Sequence, residues 1–79
     1  MSKYSVRFDD GEHQSTLGVF TDEVEAMMFF KSNVSQFMAD PSTFGQADDP
    51  DFELAVVDDD ECYLSTIQSW NPSQGFHKP

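Results

Sequence analysis

Tyr4-Ser5-Val6-Arg7-Phe8, followed by Asp9-Asp10-Gly11, is the stretch that decides the fold of this chain. Apolar and polar residues alternate from Tyr4 to Phe8, the period of a strand that buries one face. Asp10-Gly11 is a strong signal for a two-residue hairpin turn. Gln14 to Phe20 then reads as a second strand. With Asp10-Gly11 as the loop, Phe8 pairs with His13, Val6 with Ser15 and Tyr4 with Leu17. Leu17 and Val19 then share a face with Tyr4, Val6 and Phe8, so pattern and register agree.

After the second strand, Thr21-Asp22-Glu23 reads as a helix start. Thr21 can accept from free backbone N–H groups, and the acids after it suit the positive end of the helix dipole. The helix is expected to end near Ala39 or Asp40, before Pro41. Val24, Met27, Phe30, Val34, Phe37 and Met38 share one broad stripe, with Ala26 at its edge and Glu25, Ser32 and Gln36 opposite. Met28 and Phe29 fall outside that stripe. They either pack at its margins or against the following loop, or they form an apolar anchor for a partner.

Residues 40–51 carry turn residues without periodicity and read as a long loop that Phe44 can pin to the core. Phe52 to Val57 reads as a third strand with Phe52, Leu54 and Val56 inward. A turn follows at Asp58 to Glu61, then a fourth strand from Cys62 to Trp70. With Asp59-Asp60 as the loop, Val56 pairs with Tyr63, Leu54 with Ser65 and Phe52 with Ile67. Asn71-Pro72 ends that strand. The expected fold class is α+β: a four-stranded antiparallel sheet of two hairpins with one helix packed on one face, in the order ββαββ. Residues 1–72 form the single domain and 73–79 a mobile tail. The sheet face away from the helix is expected to expose Ser5, Arg7, Thr16, Gly18, Glu53, Ala55, Thr66 and Gln68.

Composition sets the functional classes. Fifteen Asp and Glu face four Lys and Arg, for a net charge of −11 on 79 residues. The apolar fraction is 38 % and the aromatic fraction 14 %, too rich for a disordered acidic tail. A salt-loving host would explain the acidity, but the heavy use of Phe and Met weighs against it. Cys62 is the one cysteine, which excludes an internal disulfide and suits a reducing compartment. Met1-Ser2-Lys3-Tyr4 has no apolar signal core, and no run reaches membrane-span length. The expectation is a soluble cytoplasmic protein, monomeric or homodimeric, that neither meets a membrane nor holds a cofactor.

The residues point away from an enzyme. Nucleophile elbow and phosphate loop are both missing, since the four Gly stand isolated at 11, 18, 45 and 75. Cys62 and His13 sit in different hairpins without an orienting third residue, and acids beside Cys62 disfavour its thiolate. His77 stands beside Lys78 and Pro79. One Cys and two scattered His make no zinc site. Neither Asp58-Asp59-Asp60-Glu61 nor Asp48-Asp49-Pro50-Asp51 has the alternate ligand spacing of a calcium loop. Direct nucleic-acid binding is disfavoured, because only Lys3, Arg7, Lys31 and Lys78 are available to meet phosphates.

The acids cluster as Asp9, Asp10 and Glu12; Asp22, Glu23 and Glu25; Asp48, Asp49 and Asp51; and Asp58, Asp59, Asp60 and Glu61. Same-face residues of a strand stand about 6.6 Å apart, a rise of about 3.3 Å each. Phosphates advance about 3.4 Å each along a DNA strand. Alternate carboxylates therefore approximate a phosphate run, and such a surface can occupy a basic groove. In size, charge and compact α+β layout the chain resembles the small acidic inhibitors that phages encode against host nucleic-acid machinery, the anti-restriction and anti-CRISPR proteins. That resemblance implies a basic nucleic-acid-binding protein or complex as partner, met in the host cytoplasm, and steric blockade without catalysis. Two other readings stand beside it. One is an adaptor that docks through exposed aromatic residues; in the other the acids are only a solvated surface. Where the clusters lie depends on the connection after the helix. A direct connection puts the Asp58–Glu61 turn at the same end as the helix N-terminus, whereas a loop that crosses back puts both hairpin tips together.

Overall fold

The structure is a computed structural model of the chain and describes residues 2–40 and 50–77. The long loop expected from residue 40 onward, with Phe44, Asp48 and Asp49, falls almost wholly outside the described residues. Strand β1 spans Lys3–Asp9, β2 Gln14–Phe20, helix α1 Glu23–Ala39, β3 Asp51–Val57, β4 Tyr63–Asn71 and β5 Gly75–His77. All neighbouring strands are antiparallel, in the order β2-β1-β3-β4-β5. The expected four-stranded ββαββ arrangement is therefore corrected to a five-stranded antiparallel sheet with one helix. The fifth strand lies in the segment expected to be a tail, where Trp70 pairs with Phe76 and Ser69 with His77. Three residues carry no alternation to read; Phe76 is held by its rings' neighbours, 6.0 Å from Phe30 and 6.5 Å from Trp70.

At the centre of the sheet, β1 and β3 pair without a shift from Lys3↔Val57 to Asp9↔Asp51. The β1–β2 and β3–β4 pairings are bulged. Opposite Val6 and Arg7, β2 offers Gly18 and Thr16, so Leu17 is the extra residue. Opposite Leu54 and Ala55, β4 offers Gln68 and Thr66; opposite Val56 and Val57, it offers Ser65 and Tyr63. Ile67 and Leu64 are the extra residues there. The first turn is also longer than Asp10-Gly11, since Asp9 pairs with Gln14. These shifts move side chains across the sheet. Phe20 and Gly18, rather than Val19, share the helix-covered face with Tyr4 and Val6, and Tyr63 moves to the open face.

Helix α1 crosses the covered face. Its N-cap is Asp22 rather than Thr21, the Asp22 carboxylate accepting from the Val24 N–H at 3.0 Å. Glu23 and Glu25 follow in the first turn, where the helix dipole favours them. Ala26, Phe30 and Val34 are fully buried against Val6, Phe8, Phe52, Leu54 and Trp70. Phe37 closes the far end, its ring 5.9 Å from Phe52 and 5.8 Å from Trp70. Phe29 is half-buried, its ring 5.1 Å from Phe20. Gly18 makes that contact possible: a Cβ there would meet the Phe20 and Phe29 rings at 3.1 and 3.2 Å. The helix is thus rotated from the expected stripe toward Ala26 and Phe29, which leaves Val24 and Met38 outside.

Candidate docking surfaces

Several of the clustered acids serve the turns that carry them. The Asp9 carboxylate accepts from the Gly11 N–H at 2.8 Å, and Asp10 accepts from Glu12 at 2.9 Å and His13 at 2.6 Å. Those bonds from the backbone of His13, then of Glu12, hold the Asp10 carboxyl below the usual aspartate range. Asp58 repeats the device, accepting from the N–H groups of Asp60 and Cys62, both at 2.9 Å. It closes a turn in which Glu61 takes a left-handed conformation. Asp9, Asp10, Asp22 and Asp58 therefore shape the backbone, whereas Glu12, Glu23, Glu25, Asp59, Asp60 and Glu61 are exposed.

The connection after the helix brings β3 in at the end of the sheet that holds the Asp9–Glu12 turn, where Asp51 pairs with Asp9. The Asp58–Glu61 turn lies at the opposite end, with Asp22, Glu23 and Glu25 of the helix start. His13 and Cys62, in the two hairpin turns, are placed at opposite ends of the sheet. No group of three or more His, Cys, Asp or Glu among the described residues converges to hold a metal. No helix among them is long and apolar enough to cross a membrane.

The open sheet face carries a polar row. Thr16, Arg7, Glu53, Ser69 and His77 pair in succession across all five strands. The Arg7 guanidinium lies 3.9 Å from Glu53 and 5.7 Å from the centre of the Tyr63 ring. Thr66 donates to Glu53 at 2.8 Å and bonds the Tyr63 hydroxyl at 2.7 Å. Ser5, Ala55 and Val57, on the same face, are buried, although Ser5 and Ala55 were expected in solvent. Next to this row a cavity of about 130 Å³ is lined by Arg7, Asp9, Asp51, Glu53, Ser69 and His77, with Gln14 at its side. Two of its walls, Arg7 and Glu53, are already joined to each other, and with Thr66 and Tyr63 they form a surface network that orders the open face.

The outer face of α1 is different. Val24, Met28 and Met38 are 65 %, 67 % and 56 % exposed. Glu23, Val24, Met27, Met28 and Lys31 line an open, largely apolar groove of about 360 Å³. Met28 thus faces solvent, while Phe29 is turned to Phe20 and Trp70 is in the core. By sequence Val24 and Met38 belong to the buried stripe, and the structure leaves both exposed. The signal that marks them is the spacing 24, 28, 31, 35, 38, which winds one narrow seam along a helix. Comparison with protein-family models, curated proteins and solved structures finds no match for this chain.

Proposed function

We propose that this chain is a non-catalytic protein-interaction domain that docks a partner on the outer face of α1. The observation that carries the reading is the exposure of Val24, Met28 and Met38 on one helix face while the aromatic residues are mostly spent in the core. A small domain gains nothing in stability from side chains it leaves in water, and an apolar patch rimmed by charge is the usual mark of a contact surface. Glu23 lines the groove at the helix start, with Asp22 and Glu25 beside it along the chain, so the occupant is a protein segment with apolar anchors and Lys or Arg beside them. The anchors on this side are aliphatic and thioether rather than aromatic.

A second reading is favoured by a separate observation. The exposed acids Glu23, Glu25, Asp59, Asp60 and Glu61 share one end of the sheet. That end suits a decoy for a basic nucleic-acid-binding surface, held by charge. A photo-crosslinking amino acid placed at Met28 or at Asp59 separates the two readings. Docking through the helix gives crosslinks from position 28 that Val24→Glu abolishes and that survive high salt. Crosslinks from position 59 alone, lost at high salt and on Asp59→Lys with Asp60→Lys, overturn the helix reading in favour of the decoy. Asp58 is left intact because it builds the turn.

A further inference from the structure

We infer that the outer face of α1 receives a helix of a different protein, basic toward the end that meets the start of α1 and carrying one carboxylate at its centre. The inference rests on the docking reading above and names its partner. Val24, Met28, Lys31, Ser35 and Met38 are all exposed and follow the 4-3-4-3 spacing of a coiled-coil seam. At 3.6 residues per turn they fall within an arc of about 80°, and the seam runs about 21 Å. The opposite positions Ala26, Phe30 and Phe37 are committed to the sheet, so this helix is already held on one side and offers the other. An extended peptide has no use for a seam of this period, whereas a second helix inserts its side chains between these residues.

Charge fixes the character of that helix. Lys31 stands in the middle of the seam, where a polar residue sets register by demanding a matching partner. A carboxylate opposite it is the complementary group. The start of the seam is acidic, with Glu23 in the groove lining and Asp22 and Glu25 beside it along the chain. A second copy of this chain meets none of these demands. Antiparallel pairing about the centre sets Lys31 against Lys31. Parallel pairing also sets lysine on lysine and acids on acids. Like charges repel in both orientations, and each copy brings a net charge of −11. Ser35, one turn from Lys31, is small enough to let the partner backbone approach.

The probe is a pair of synthetic helical peptides with Leu at the seam positions. One has Lys and Arg toward the end that meets the start of α1 and Glu at the centre; the other has Lys at the centre and is otherwise identical. Both are titrated into the isotope-labelled chain by NMR. We expect the central-Glu peptide to bind at least about tenfold tighter and to perturb amides from Val24 to Met38, with the β-sheet signals unmoved. Lys31→Glu, an exposed change that leaves the core intact, should reverse the preference. The inference is overturned if the two peptides bind alike, if Lys31→Glu leaves the preference unchanged, if neither binds, or if the chain self-associates through the seam instead. Crosslinks from position 28 alongside any of those results would keep the docking reading and discard only the partner's description. An absence of crosslinks from position 28 would remove both.

Discussion

The two faces of α1 are both apolar, yet the sheet takes one and leaves the other. The inner face offers Phe30 and Phe37 around the small Ala26, with Phe29 at its margin. Their rings interlock with Phe20, Phe52, Trp70 and Phe76. The outer face offers Val24, Met28 and Met38, separated by Lys31 and Ser35. Aromatic rings bring the largest buried area, and ring pairs add to it, so the face with the rings wins the core. The inner face even tolerates Asn33, because its side-chain amide donates to the Phe29 carbonyl at 2.8 Å. Apolar character at helical spacing therefore states a demand for burial, and packing decides which demand the monomer meets.

Substitutions on the two faces should have opposite effects on stability and on binding. Phe30→Ala should cost about 3–5 kcal/mol in urea unfolding, since a fully buried ring leaves a cavity at the centre of the core. Next in size is Gly18→Val, which forces a side chain into the Phe20–Phe29 contact and should cost about 1–3 kcal/mol by the same measurement. Met28→Ala and Val24→Ala should each change stability by no more than about 0.5 kcal/mol, as exposed positions do. Both should nevertheless weaken partner binding. If Met28→Ala unfolds the protein as readily as Phe30→Ala, the two faces are not different in kind. The smallest effect is a control away from the helix. The Asp10 bonds to the turn contribute fully above the ordinary aspartate pKa of 3.8, and the contribution is lost as pH falls through the lowered value of the folded state. A thermal melting series from about pH 6 to about pH 2 should show an acid loss in the native chain that Asp10→Asn reduces.

Much of the strand layout is legible in the sequence, because alternation at Tyr4–Phe8 and Phe52–Val57 is strong and Gln14–Phe20 coincides with β2. Register is not. A bulge at Leu17 is a matter of one residue: Gly18 beside it is a general sign of an irregular strand but does not say which residue is extra. The slips at Leu64 and Ile67 in β4 are also a matter of one residue each. In the polar row, Arg7, Thr16 and Glu53 are legible by alternation, whereas Ser69 and His77 join them only through those slips and β5. The acid clusters were visible as charge, but their work in the turns was not. A run such as Asp58-Asp59-Asp60 does not say which carboxylate folds back onto the backbone. Met28 stood out because it missed the expected stripe; Val24 and Met38 were hidden because they fitted it.

The unbroken pairing of β1 with β3 also sets how the chain must find its shape. Each hairpin and the helix joins residues close in sequence, but Asp9 reaches Asp51 and Lys3 reaches Val57 across about forty to fifty-five positions. That contact is the middle of the sheet, so neither hairpin has a finished edge until the chain has closed over the whole helix. Loop closure of this length comes before the contacts that reward it, and sheets centred on such distant pairs fold on the scale of milliseconds or longer. In this interval the uncharged residues of β2 and β4 are open to strangers. The repulsion between acidic chains then acts as a guard on folding, holding copies apart while the centre is still unmade.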